Sequence, residues 1–429
     1  MRVIADLHIH GRYSRATSQS MCLEEIARFA KIKGLNIVGT GDFTHPKWLE
    51  EIRESLVQDP ETGLYKIAQN QALPVYFMIT TEVNTVFSSG RNVKRIHHVI
   101  LTPSIETATQ INERLTNYGD LSSDGRPTLN MSPSELVEEV MEVSSDNMVF
   151  PAHAWTPWFS IFGAFSGFDN VNDCYQDMTK YIYALETGLS SDPPMNWRLS
   201  QLDKFTLISN SDSHSFWPWR MGREANVFEL KKPSYMEIVD SIRNKDKERF
   251  RFTVETDPAY GKYHWTGHRN CNVSLPPKEA IKLGNVCPVC RKKLTKGVEQ
   301  RVEELADRPE GYKPCNTINY MHLLPLSEII STVIGADPSS QQTWSIYNKL
   351  VEKFGDEYSV LIEIPKEALG QTADEKIAEA IVRVREDKIK VIPGYDGVYG
   401  RPIIFEENQV KKAQGKREKS KQLNLSDFL

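Results

Sequence analysis

What the sequence lacks narrows it first. No apolar run in the 429 residues approaches the ~20 needed to span a bilayer. Met1-Arg-Val-Ile-Ala-Asp6 leads straight into a strand-like segment with no secretory pattern. We therefore expect an intracellular, cytoplasmic protein with no membrane partner. Cysteine is scarce, six in all, and three of the six lie between Cys271 and Cys290. In that compartment such clustering points to a metal site and away from a disulfide framework. There is no basic excess either. The net charge is −5, so any contact with a polyanion must come from local patches. Charged residues at 25% and hydrophobic residues at 40% are ordinary for a globular chain of two or three domains.

Histidine and carboxylate, by contrast, recur in a pattern. Val3, Ile4, Ala5 and Leu7 read as a buried strand of the parallel-sheet kind. Asp6, His8 and His10 follow at a period of two, which predicts one shared face. Further strand-like runs end in similar residues. Residues 35–40 lead to Asp42 and His45, and residues 75–80 lead to Glu82. Residues 96–101 contain His97 and His98, and residues 148–150 lead to His153. Residues 181–185 lead to Glu186, and residues 207–209 lead to Asp212 and His214. Helical stretches such as 21–33, closed by Gly34, separate some of these runs. Alternating strands and helices predict an α/β barrel whose chemistry collects at the C-terminal strand ends. Imidazoles and carboxylates gathered there suit zinc, manganese or iron. Paired ions about 4 Å apart would activate water for phosphoryl displacement.

Asp6-Leu-His-Ile-His10, Gly41-Asp42-x-x-His45, Glu82, His98-Val-Ile-Leu, His153 and Asp212-x-His214 resemble the ordered motifs of the polymerase-and-histidinol-phosphatase (PHP) phosphoesterases. The resemblance implies a distorted (β/α)7 barrel with up to three divalent metals, zinc with magnesium or manganese possible. It implies that His8, His10, Glu82 and Asp212 hold one ion and that Glu82 bridges to a second on His98 and His153. His98 is preferred to His97 because Val-Ile-Leu follows it. Asp42, His45 and His214 would serve a third ion, although Arg15 stands where many members have another ligand.

Two aromatic runs follow ligand positions: 155–168, with six aromatic side chains, and Phe216-Trp-Pro-Trp219. Satellite packing explains some of them. A wall for base stacking explains their position, and Trp155, Trp158, Phe159 and Trp217, with Arg12, Arg15 and Arg220, are the candidate DNA contacts. Beyond residue 255, His268-x2-Cys271 and Cys287-x2-Cys290, fifteen residues apart, match one four-ligand structural zinc. His264 is an alternative to His268. Helical stretches at 327–334, 342–354 and 374–387 and a glycine-rich segment at 393–402 complete a mainly helical C-terminal region.

His268-Arg-Asn-Cys271, Cys287-Pro-Val-Cys290, the 301–311 segment and Gly394-Tyr-Asp-Gly397 after a PHP barrel are similar to the endonuclease Q family. That similarity implies a repair nuclease incising 5′ to uracil, hypoxanthine, xanthine and abasic sites, with damaged DNA as partner and a nucleoid-associated location. The expected domains are 1–255 (barrel), 256–315 (zinc module), 316–404 (helical) and 405–429 (basic tail). Residues 411–421 hold six basic residues against one acidic. Gln422, Leu425, Phe428 and Leu429 then resemble a PIP box for the PCNA clamp. The rival readings are a small-molecule phosphomonoesterase and an inactive DNA- or clamp-binding scaffold.

Overall fold

The computed structural model of the protein describes residues 1–405 apart from Arg91. The basic run at 411–421 and the motif at Gln422, Leu425, Phe428 and Leu429 lie outside the described residues.

Seven strands carry or neighbour the candidate ligands: β1 (Arg2–Asp6), β2 (Ile37–Gly39), β3 (Tyr76–Ser89), β4 (Asn92–Thr102), β5 (Met148–Pro151), β6 (Ala184–Glu186) and β7 (Thr206–Ile208). β1, β2 and β3 pair in parallel. β4 then turns back antiparallel on β3, and β5 pairs antiparallel with β4. No helix separates β3 from β4, because the chain reverses tightly at Gly90, whose φ of 60° is cheap only without a Cβ. β6 and β7 form a parallel pair. Single bridges link that pair to the rest, Val149 with Ile182 on one side and Ile9 with Ser213 on the other. Val3, Ile37, Met78, Val99, Phe150, Ala184 and Ile208, one from each strand, pack in a single buried cluster.

Two strands that the sequence pattern does not announce extend the sheet past β1. They are β8 (Ala225–Glu229), antiparallel to β1, and β9 (Phe250–Glu255), antiparallel to β8. Asn319–His322 then pairs in parallel with β9, so the start of the C-terminal region shares the main sheet. The result is an α/β fold on an 11-stranded mixed sheet.

Helix α1 (Leu23–Lys33) ends at Gly34, which at φ 93° returns its N–H to Ala30 and Lys31. The C-terminal region holds the helices Leu326–Ile334, Gln341–Phe354, Glu357–Ile362, Lys366–Thr372 and Glu375–Arg385. The third and fourth, six and seven residues long, are too short to leave a readable period. A buried ion pair docks this region on α1: Lys33 Nζ lies 2.7 Å from Glu357, and neither side chain is more than 1% exposed. The same ammonium donates to Pro218 O in the aromatic loop.

A two-stranded hairpin, Thr266–His268 with Val273–Leu275, carries the first half of the cysteine motif. The glycine-rich segment folds against it. Trp265 N donates to Gly394 O at 2.9 Å and Arg269 N to Asp396 at 2.7 Å. Among the described residues no helix is long and apolar enough to cross a membrane.

Candidate metal centre

The centre is built on the two oxygens of one buried carboxylate. Glu82, in the middle of β3, is fully buried. Its Oε2 faces His10 Nε2 at 3.2 Å and His8 Nε2 at 3.7 Å, and Asp212 Oδ1 lies 3.0 Å from that same His10 nitrogen. Its Oε1 faces His97 Nδ1 at 2.9 Å and His153 Nε2 at 3.2 Å. Two donor sets of metal-binding geometry therefore meet at Glu82: His8, His10, Glu82 and Asp212, and Glu82, His97 and His153.

The tautomers suit cations. His8 Nδ1 lies 3.0 Å from both oxygens of Glu186, which keeps a proton on that nitrogen. Its Nε2 is left buried and without a hydrogen-bond partner, aimed at the carboxylates. His10 Nδ1 is held by Asp42 Oδ1 at 2.9 Å, and His153 Nδ1 by Thr156 Oγ1 at 2.9 Å. With Nδ1 protonated, the buried Nε2 of His8 turns a lone pair toward the carboxylates, and a cation between them would satisfy both, so the set fits divalent metal.

Electrostatics agree. Burial pushes Glu82 up, but His97, Arg126 and His8 outweigh it and hold its carboxyl well below the usual range. Asp212 is pulled down in the same way, burial being overcome by its hydrogen bond from His10 and the charge of His8. Burial also pushes His8 down, yet Glu186 and Glu82 hold its imidazole well above the ordinary value. His97 goes the other way, lowered to about 4 chiefly by burial.

Several expected positions fall elsewhere. His98 does not face Glu82: its Nδ1 meets Tyr175 OH at 2.9 Å and its Nε2 meets Thr85 Oγ1 at 3.0 Å. The antiparallel register sets this. Glu82 lies opposite Val99 and Asn84 opposite His97, so His97 shares the face of Glu82, while His98 pairs with Val83 on the other. Asp6, where β1 ends, accepts from Ser211 Oγ and Gly222 N behind the centre. Among the described residues Asp42, His45 and His214 do not form a third set. Asp42 is occupied by His10 and by Gly11 N. His45 stacks on Tyr13 at 4.5 Å, and His214 leans on His10 at 4.2 Å.

The aromatic candidates divide. Trp155 is 1% exposed, packs on Phe162 and donates its Nε1 to Asn196, so it is core and offers no stacking face. Trp158 stacks on Phe165 at 4.9 Å, Phe159 on His97 at 4.9 Å and Trp217 on Trp219 at 5.0 Å. Those three are exposed. Arg15 and Arg220 are exposed as well, whereas Arg12 is half-buried with Nε 3.5 Å from Glu51. Two neighbours of the centre carry roles that the sequence did not assign: Glu186, noted only as a strand-end residue, and Arg126. Glu186 orients His8, and its place at the end of β6 was the signal. Arg126, whose Nη1 lies 2.9 Å from Glu82 Oε2, comes from a loop with no pattern to announce it.

Away from this centre, His268, Cys271, Cys287 and Cys290 bring one donor atom each within 4.8 Å of one another. Cys290 Sγ lies 3.3 Å from His268 Nδ1. His264 takes no part and pairs instead with Glu299 at 3.4 Å.

A mixed α/β fold with imidazoles and carboxylates converging on one bridging Glu defines a metal-dependent hydrolase. The lesion-specific endonuclease of Pyrococcus furiosus is 34% identical, with a TM-score of 0.84 over 96% of this chain and 100% of that one. An endonuclease Q bound to a 27-mer duplex with an abasic lesion at its active site is 35% identical, with a TM-score of 0.83 over 95% of this chain and 98% of that one. These likenesses make the class a metal-dependent endonuclease. Residues 325–388 match the MJ0043 C-terminal domain model. The uncharacterized protein MJ0043 of Methanocaldococcus jannaschii is 32% identical over 268 residues, 60% of this chain. The match spans only 32% of that relative's length. The chain belongs to the endonuclease Q family.

Proposed function

We propose that this protein is a DNA repair endonuclease that hydrolyses the phosphodiester 5′ to abasic sites and to deaminated bases such as uracil, hypoxanthine and xanthine. The observation that carries this reading is the Glu82 carboxylate, with one oxygen turned to His8, His10 and Asp212 and the other to His97 and His153. Divalent ions bound there supply an activated water and neutralise charge on the phosphate and the leaving 3′-oxygen. His8, His10 and Asp212 would hold such an ion on one side of Glu82, and His97 and His153 on the other. Glu186 and Asp42 keep His8 and His10 in the ligating tautomer. The exposed Trp158, Phe159 and Trp217 stack a displaced base or its neighbours, and Arg15 and Arg220 approach the backbone.

The seven strands read as a distorted barrel closed by the Ile9–Ser213 and Val149–Ile182 bridges. Residues 1–255 are then the catalytic unit, 256–315 a module around zinc on His268, Cys271, Cys287 and Cys290, and 316–404 a helical unit. Zinc suits the module because one imidazole and three thiolates in a tetrahedron are a common structural set for it. The tail, through Gln422, Leu425, Phe428 and Leu429, would engage a PCNA-type clamp.

The deciding experiment incubates the protein with abasic, uracil-containing and undamaged duplexes and with a generic phosphomonoester, each with and without chelator. Chelator-sensitive nicking confined to the damaged duplexes supports the reading. Hydrolysis of the monoester alone, or no hydrolysis at all, overturns it.

A further inference from the structure

Arg126 belongs to none of the metal-ligating sets, yet the fold goes to some length to deliver it. Its Nη1 lies 2.9 Å from Glu82 Oε2, and the side chain keeps 25% exposure beside a fully buried carboxylate. Both flanks are pinned. On one side Gly125 is wedged in: a Cβ there would fall 2.4 Å from Ser14 Oγ and 2.5 Å from Asp42 Oδ2, so a larger residue would have to displace both side chains. Gly125 N donates to Tyr13 O at 3.1 Å and its carbonyl accepts from Thr44 Oγ1. Asp124 Oδ1 accepts from Arg126 N at 3.1 Å. On the other side Pro127 O accepts from Asn84 N, and Thr128 pairs with Asn84 of β3, two residues from Glu82. The guanidinium is thus held at the edge of the centre by the same strand that carries the bridging carboxylate.

Glu82 is the carboxylate that the guanidinium pairs with directly, while the charges of Asp212 and Asp124 reach it from farther off. With divalent ions on the two donor sets that meet at Glu82, that carboxylate's charge would be taken up and Arg126 would remain a fixed, partly exposed cation beside them. Asp212 belongs to a donor set itself and Asp124 is bonded to the Arg126 backbone N–H, so the guanidinium's fork stays open to an anion with spare oxygens. We infer that Arg126 is a phosphate ligand: it binds a non-bridging oxygen of the scissile phosphate and neutralises the charge that develops as water attacks. This rests on the reading that Glu82 bridges two ions, and it assigns the substrate phosphate to the Arg126 side of the centre.

The test titrates inorganic phosphate calorimetrically into manganese-loaded wild type, Arg126→Lys and Arg126→Ala. Metal content is measured on the same samples, and single-turnover nicking of an abasic duplex is run alongside. All three proteins should hold the same metal. Phosphate affinity should fall about tenfold or more in Arg126→Ala and less in Arg126→Lys, which keeps the charge but not the fork. Nicking should fall about 10²–10³-fold in Arg126→Ala, and added guanidinium should restore part of it. Equal phosphate affinity at equal metal content overturns the inference, as does a wild type that binds no phosphate. Loss of metal in both variants also overturns it, since Arg126 would then serve Glu82 alone. Arg126-dependent phosphate binding by a protein that leaves abasic DNA intact would uphold this inference while refuting the proposed substrate.

Discussion

His97 Nδ1 lies 2.9 Å from Glu82 Oε1, while the very next side chain, His98, turns away to Tyr175. Two adjacent imidazoles on one strand therefore have different duties. His97→Ala should lose metal from the Glu82–His97–His153 set and most cleavage. His98→Ala should keep its metal but lose stability, because its removal leaves the buried Tyr175 hydroxyl unpaired, at about 1–3 kcal/mol. Metal content and thermal unfolding of the two variants check this. A His98 variant that loses metal while His97→Ala keeps it would reverse the assignment.

That choice was readable from the sequence in principle. In a hairpin the register follows from the turn, and with the reversal at Gly90 Ser89 faces Asn92 and Glu82 faces Val99. Facing residues share a side, so the odd-numbered positions of β4, His97 among them, join Glu82. The Val-Ile-Leu that follows His98 carries no information about that parity. His8, His10, His153 and Asp212 were legible because strand-end positions carry them. The expected third set failed because Asp42 is committed to His10, and shared chain position says nothing about which partner a carboxylate takes. Arg126 was invisible because its placement depends on Gly125 fitting against Asp42 and Ser14, contacts far apart in the chain.

The tryptophans separate core from surface. Trp155→Ala should cost about 3–5 kcal/mol of stability, as large buried aromatics do. Trp158→Ala, at an exposed position, should stay within about 0.5 kcal/mol of wild type in stability. It should weaken damaged-duplex binding by about 1–3 kcal/mol. Chemical denaturation paired with fluorescence anisotropy distinguishes the two. Equal destabilisation by both substitutions would contradict the division.

Glu255 predicts a pH dependence. Burial raises its carboxyl to about 8, Thr253 and Thr187 hydrogen bonds opposing, and the nearby buried Glu224 is raised as well. The folded-state value lies above the ordinary 4.5, so the native state holds extra protons between those values. Stability from this source is present below about 4.5 and is lost as pH rises through about 8. Glu255→Gln mimics the protonated form. It should match wild type in melting temperature near pH 5 and exceed it near pH 9, where wild type must bury a charge. A gap of the same size at both pH values would remove the cause.

The four-donor group makes a separate prediction. Cys287→Ser with Cys290→Ser should release one tightly held zinc and loosen the hairpin around His268, because such small modules draw folding energy from the metal. The double variant retaining the full zinc complement by elemental analysis would show that these sulfurs bind none.

The central claim is that ions held on Glu82 and its neighbours cut the strand at the lesion. It is tested most directly by single-turnover nicking of an abasic duplex by Asp212→Asn, with duplex affinity measured on the same preparation. Asp212 Oδ1 lies 3.0 Å from His10 Nε2, and the substitution removes its charge without changing its size. The cleavage rate should fall by more than the 10–100-fold typical of losing an outer-shell partner, with duplex affinity near wild type. A variant that still cuts at more than about a tenth of the wild-type rate would contradict it, since Asp212 would then hold no ion that the reaction needs.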